Sequence, residues 1–260
     1  MVASQARVIA HGATHVGMKR GHNEDSFAVL NNQHLYLVAD GMGGHASGEV
    51  ASKMAIDTVR DFFDATADDP DSTWPYKMDK TRGYEENRLI TGVKLANLRI
   101  FEASQRESKR RGMGTTVVAL LVMREGCLIG HVGDSRVYRL REGALTQLTE
   151  DHSLLNDYIK MKQMSAEEIA NFPHKNVIVR ALGMRDTVKV DTLIDSPQPG
   201  DLYVLCTDGL SGPVKDDRIA QICTSTTDLK TMSGSLIDSA NGNGGPDNVT
   251  VVVAKWMGQG

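Results

Sequence analysis

Two apolar runs in this chain end in Asp-Gly, and neither continues as a hairpin. Leu35-Tyr36-Leu37-Val38 leads into Ala39-Asp40-Gly41-Met42-Gly43-Gly44, and Leu202-Tyr203-Val204-Leu205 leads into Cys206-Thr207-Asp208-Gly209-Leu210. Asp-Gly between strands is ordinarily a turn signal and demands a second strand at once. Here a helical pattern follows instead in both places, so each aspartate is left at a strand end facing a strand-to-helix junction. Asp134 and Asp247 stand in comparable places, each beside a glycine or one residue from it. Four carboxylates at strand edges suggest a metal site, and oxygen donors without adjacent His or Cys call for a hard cation such as Mn²⁺ or Mg²⁺ rather than zinc.

The remaining pattern sets the fold class. Strands are expected over Val8 to Val16, Asp25 to Leu30 and His34 to Ala39, the last two joined by an Asn31-Asn32-Gln33 turn. Ala51, Met54, Ala55, Val59, Phe62 and Phe63 recur at helical spacing, with Ser47 as the N-cap. Leu89, Val93, Ala96, Ile100 and Ala103 form a second stripe. Strands return at Thr115 to Met123, Cys127 to Val132 across a Glu125-Gly126 turn, Arg136 to Leu140, Val188 to Ile194 and Leu202 to Cys206. Two helical stretches follow between Asp216 and Ala240. The run Val249 to Ala254 is apolar enough for a strand buried on both faces. Strands and helices in blocks, rather than in alternation, predict an α+β layered fold. Ser153 to Lys175 is polar, looks like a mobile insertion, and carries a capping box from Ser165 to Glu168.

Composition removes several functions. The 260 residues are 40% apolar and 24% charged with a net charge of -4, an ordinary balance for one globular domain spanning 1–260. The longest basic block, Lys109-Arg110-Arg111, is too short to mark a nucleic-acid surface. There is no signal-peptide core, and no run approaches the ~18 apolar residues needed to span a bilayer. A soluble, cytoplasmic protein is expected. Cys127, Cys206 and Cys223 are odd in number and begin no Cys-x5-Arg loop, which disfavours a cysteine-nucleophile phosphatase. His11 and His15 lie four apart in a β-like context with Gly12 between them, which argues against a zinc helix. Gly41-Met42-Gly43-Gly44-His45-Ala46 matches G-x-G-x-x-A, but two helices follow where a dinucleotide fold needs another strand, and Asp40 would repel a pyrophosphate.

Arg20 stands four residues before Glu24, next to Asp25. A guanidinium fork beside metal-binding carboxylates is what phosphoester hydrolysis needs. Eight blocks then run in register along nearly the whole chain: RGHNEDS from Arg20, VADGMGGHASGEVAS from Val38, GMGTT from Gly112, HVGDSRVYRLR from His131, LTEDHSL from Leu148, NVIVRALG from Asn176, LCTDGL from Leu205 and GGPDNVTVVV from Gly244. With these blocks the chain resembles a metal-dependent protein serine/threonine phosphatase of type 2C, the PPM family, in its compact bacterial form.

The resemblance implies a four-layer αββα sandwich, two packed and mainly antiparallel sheets flanked by antiparallel helices, with a flap at about 153–175. It implies that Asp40 bridges two Mn²⁺ or Mg²⁺ ions, that Asp208 and Asp247 hold the first, and that the Gly41 carbonyl and Glu24, through water, hold the second. Asp134 with Asp208 would hold the third ion of bacterial members, and Asp25 would stand behind the ligands. Arg20 would clamp the phosphate, and Thr116 would lie at the site. A metal-activated hydroxide would attack phosphoserine or phosphothreonine of protein substrates of serine/threonine kinases, and a monomer is expected. Phosphate-monoester hydrolysis can need up to ~10²¹-fold acceleration, whereas one general acid or base supplies ~10²–10⁴, so metal chemistry is the natural source of the remainder. Every carboxylate so matched is present, which favours an active enzyme over a catalytically dead binding module. In one place the chain departs from the animal-type pattern: Met42 stands where those members carry a His proposed as general acid. His45 and His174 are the neighbouring histidines, and the acid stays unassigned.

Overall fold

The computed structural model describes residues 6–43, 47–67, 74–124, 126–161, 164–170, 172–173 and 177–259. Its strands are β1 (Ala6–His15), β2 (Asp25–Leu30), β3 (Leu35–Met42), β4 (Gly114–Thr115), β5 (Val117–Met123), β6 (Gly126–Val132), β7 (Arg136–Arg141), β8 (Ala144–Gln147), β9 (Asp191–Asp195), β10 (Leu202–Cys206) and β11 (Val249–Gln259). The helices are α1 (Ser47–Ala65), α2 (Tyr84–Arg106), α3 (Leu154–Met161), α4 (Ala166–Ala170), α5 (Asp208–Ser211), α6 (Asp216–Ser225) and α7 (Leu229–Gly242). One sheet runs β1-β11-β10-β7-β8 and the other β2-β3-β5-β6-β9, with β4 paired to β3. The strand pairs are antiparallel throughout.

Strand alternation builds the layers. Side chains of a strand point to opposite faces with period two. In β3, Leu35, Leu37 and Ala39 therefore join α1 and α2 in one core, while Tyr36 and Val38 enter the space between the sheets. In β10, Leu202, Val204 and Cys206 face α6 and α7, while Tyr203 and Leu205 face the other sheet. The closing strand behaves in the same way: Val249, Val251 and Val253 lie under the helices, and Val252, Ala254 and Trp256 lie between the sheets. These three cores make a helix–sheet–sheet–helix sandwich, the expected α+β architecture.

Local expectations hold with small shifts. Ser47 is the first residue of α1 rather than the cap before it. Asn31–Gln33 is a 3-10 turn closed by His34 at φ 52. The run expected from Thr115 is split at Thr116, because Thr115 bridges both Gly41 and Leu182 before the chain enters β5. The strand expected from Val188 begins at Asp191. β8 was not foreseen, since its four residues are mostly exposed and carry no apolar alternation. The capping box is formed: Ser165 N donates to Glu168 Oε2 at 2.7 Å and Glu168 N to Ser165 Oγ at 3.3 Å. Glu125 and the acidic stretch 68–71 lie outside the described residues.

Candidate active site

Neither Asp-Gly lies in a hairpin. β3 runs on through Asp40 and Gly41 to Met42, whereas Asp208 is the first residue of α5, directly after β10. Asp25 sits opposite Asp40 in the β2–β3 pair. Asp247 lies two residues before β11, and Asp134 lies in the β6–β7 connection. The edges of both sheets thus deliver the carboxylates to one region, and these carboxylates act on one another: burial, Asp25, Asp208, Asp134 and Asp247 all push the Asp40 carboxyl up from its ordinary value.

Asp40 and Asp25 are held from behind. The Asp40 N–H donates to Thr116 Oγ1 at 3.0 Å, and its carbonyl accepts from Thr116 N at 2.9 Å and Thr115 Oγ1 at 2.8 Å. Thr116 is fully buried and also meets Ser135 Oγ at 2.7 Å, so it acts on Asp40 through the backbone. Asp25 Oδ2 accepts from Thr250 Oγ1 at 2.7 Å and Thr207 Oγ1 at 3.0 Å. Burial nevertheless raises Asp25 to about 7, with Asp208 and Asp247 adding to the rise.

Asp208 is hydrogen-bonded to Asp40, and burial together with Asp247 raises its carboxyl. Two carboxyl groups in such contact need a proton or a cation between them. Asp134, 8% exposed, is raised to about 7 by burial, then by Asp208 and Asp151. Its chain neighbour Gly133 is fixed by His152, whose ring Nδ1 accepts from Gly133 N at 3.0 Å and whose backbone N–H donates to the Gly133 carbonyl at 2.9 Å.

Glu24 and Arg20 come from the β1–β2 connection. Glu24 N donates to Asn248 Oδ1 at 2.8 Å, and the Asn248 amide donates to the Val16 and His22 carbonyls at 2.9 Å each. Asn248 thereby ties that loop to Asp247. Gly41 admits no side chain, since a Cβ there would lie 2.2 Å from the Gly48 carbonyl oxygen and 2.4 Å from that of Glu24. Arg20 is half-exposed and donates from Nη2 to Asp247 Oδ2 at 2.7 Å.

The donor set tests whether a hard cation fits. Glu24 Oε1, Asp25 Oδ1 and Asp134 Oδ1 are buried without a hydrogen-bond partner, although Glu24 Oε1 lies 3.3 Å from His22 Nε2. A buried carboxylate oxygen without a partner is costly, and one guanidinium cannot satisfy this many. Among the described residues no three His, Cys, Asp or Glu donors already close around a single point. An oxygen-only, charge-rich donor set is nevertheless what Mn²⁺ or Mg²⁺ accepts.

Other chemistries fit less well. Burial raises each of the three cysteines to about 12, so none is a ready thiolate nucleophile. His11 bonds Ser233 Oγ at 2.9 Å, and His15 accepts from Gly17 N at 2.9 Å. His45 and His174 lie outside the described residues. Sequence reasoning did not single out Asn248, Thr207, Thr250 or His152. The first three sit in the quoted blocks beside Asp247 and Asp208, a signal that adjacency alone could have used.

Comparison with known proteins agrees with this geometry. The family model described as "Protein phosphatase 2C" matches residues 12–238. The serine/threonine phosphatase stp of Listeria monocytogenes serotype 4b is 37% identical over 242 residues, 92% of either chain. The serine/threonine protein phosphatase PstP of Mycobacterium tuberculosis is 37% identical over 238 residues, 92% of this chain and 43% of that one. The crystal structure of Mycobacterium tuberculosis PstP/Ppp superposes with a TM-score of 0.84 at 34% identity, covering 96% of this chain and 99% of that one. The catalytic domain of PstP in complex with two manganese ions gives 0.78 at 33% identity, covering 95% and 97%. The chain belongs to the protein phosphatase 2C family and is a hydrolase of that family, a serine/threonine phosphatase.

Proposed function

We propose that Asp40, Asp208 and Asp247, with Glu24 and the Gly41 carbonyl, hold two divalent cations, Mn²⁺ or Mg²⁺, and that Asp134 with Asp208 holds a third. The observation that carries this is the contact between the Asp40 and Asp208 carboxyls inside a ring of raised or partnerless carboxylates. When bound, such cations lower the pKa of water and offset charge on phosphoryl oxygens. The chain's own residues do the rest. Arg20, paired with Asp247 at 2.7 Å and half-exposed, has a fork free to turn to the phosphate oxygens of the substrate. Thr116 and Asn248 fix the backbone of Asp40 and the Glu24 loop, so the acceptors are placed before substrate arrives. Asp25, gripped by two threonine hydroxyls, stands behind Asp40 and Asp208 and fixes the local charge.

The substrates are phosphoserine and phosphothreonine proteins marked by serine/threonine kinases, and the setting is signalling in the cytoplasm by a monomer that folds as one domain over 1–260 with a flap at 153–175. No helix of the described residues is long and apolar enough to cross a membrane. Asp40→Asn and Asp208→Asn should each abolish Mn²⁺-dependent hydrolysis of p-nitrophenyl phosphate while the circular dichroism spectrum is kept. Turnover at the native rate in either variant would sink the assignment.

A further inference from the structure

A cavity of about 700 Å³ lies between the segment leading into α2, the first half of α2, and the stretch 179–190. Its lining is unusual for a chain of net charge -4: Lys77, Arg82, Lys94, Arg180, Arg185 and Lys189 face a single acid, Asp79. Some of this charge is already compensated. Arg82 pairs with Asp79 and Glu86, and Arg180 and Lys189 both pair with Asp191. Lys77, Lys94 and Arg185 have no ion pair among the described residues, and they come from three separate parts of the chain. Val179 and Met184 add an apolar wall, being 42% and 53% exposed.

The cavity is tied to the carboxylate cluster by backbone. Leu182, beside the lining residue Ala181, exchanges two hydrogen bonds with Thr115, at 3.1 and 2.8 Å, and Thr115 is paired in turn with Gly41. Two strand spacings put the cavity wall ~10 Å from Gly41. An extended peptide advances ~3.3 Å per residue, so a chain with its phosphoserine at the Asp40–Gly41 end reaches this wall in about three to five residues.

We infer that this cavity binds an acidic segment of the protein substrate, with Asp or Glu about three to five residues from the phosphorylated serine or threonine. The inference rests on the phosphatase reading of the neighbouring cluster. The space is of a size that encloses a whole ligand (~300–1,000 Å³), and three separated cations around it suit several spaced carboxylates better than one compact phosphate. The apolar wall suits the intervening side chains. Opposite charge at a rim acts on encounter and on selection among partners, and it weakens with salt.

The test compares two phosphoserine peptides of equal length, one with aspartates three to five residues from the phosphate and one with glutamines there. Each is placed in turn on the N- and C-terminal side. The native Mn²⁺-loaded protein should prefer the acidic peptide in kcat/KM by about tenfold on one side, equivalent to ~1.4 kcal/mol. A Lys77→Glu/Arg185→Glu variant should lose the preference while hydrolysing p-nitrophenyl phosphate at the native rate. An equal rate for both peptides in the native protein, or an undiminished preference in the variant, overturns the inference.

If nothing is hydrolysed, the phosphatase reading fails by itself, and the cavity is then judged by fluorescence anisotropy with a labelled, unphosphorylated acidic peptide. Binding about tenfold tighter to the native protein than to the variant supports the site. Equal binding, or binding of ATP without the peptide, refutes it.

Discussion

Removing the charge of Asp134 should make the metal-free protein more stable. This carboxyl is buried and is raised from 3.8 to about 7, first by desolvation and then by Asp208 and Asp151. The rise spans about three pH units, and at ~1.36 kcal/mol each the ionised form costs the folded state about 4 kcal/mol. An acid raised on folding gives stability that is complete below its unfolded value and is lost as pH climbs to its folded value. The cost therefore grows between pH 3.8 and about 7 and is constant above.

Asp134→Asn removes the charge but leaves a buried amide, a burden of ~1–3 kcal/mol, so the net gain at pH 8 is on the order of 2 kcal/mol. For a chain of this size each kcal/mol moves Tm by ~2–4 °C, which predicts a rise of ~4–8 °C in EDTA at pH 8. By pH 5 the native cost has fallen to about 2 kcal/mol or less, and the advantage should vanish into the amide burden. Differential scanning fluorimetry at the two pH values reads both. A variant less stable than the native protein at pH 8, or one whose advantage persists at pH 5, would refute the reasoning. Added Mn²⁺ should reverse the order at pH 8 if Asp134 is a ligand.

Arg20→Ala should lower kcat/KM by about 10- to 100-fold, the ~1.5–3 kcal/mol of a charged hydrogen bond, and Arg20→Lys should not recover it fully; unchanged kinetics would remove Arg20 from phosphate binding. Gly41→Ala should lose both activity and stability, because the new Cβ would meet the Gly48 carbonyl at 2.2 Å; an active, equally stable variant in urea titration contradicts this. Thr250→Val deletes the 2.7 Å hydrogen bond that favours ionised Asp25. Its cost in chelator should be about 2 kcal/mol above pH 7 and smaller below, where Asp25 is protonated, and denaturant curves at pH 6 and pH 8 compare the two.

Asp40 and Asp208 were legible because a carboxylate at a strand-to-helix junction has no local use, and Asp134 and Asp247 because each stands near a glycine at a strand edge, whereas most helices and strands announced themselves by apolar period. The supports were not legible. Thr207, between β10 and α5, and Thr250, in β11, are ordinary residues until the fold sets their hydroxyls against Asp25, 182 and 225 residues away. Asn248 carries no distinguishing pattern in the sequence, and only the folded β1–β2 loop reveals that its amide bridges Val16, His22 and Glu24. β8 escaped because four mostly exposed residues carry no periodic burial signal. The basic cavity was invisible for the same reason as the supports: its cations are scattered from Lys77 to Lys189 and form no run.

The pairing of β1 with β11 also has a consequence for how the protein comes into being. Thr14 and Thr250 share a hydrogen bond across 236 residues, and Arg20 and Asp247 across 227. At ~5–20 residues per second, β1 waits roughly 12 to 47 s on the ribosome for its partner strand. Until then its hydrogen-bonding edge is an open template for other chains, and the last acidic side chain of the cluster has not been made. With Asp247 among the proposed cation ligands, catalysis would begin only after synthesis has passed β11, and the nascent polypeptide would be silent toward phosphoproteins while it is most exposed to mispairing.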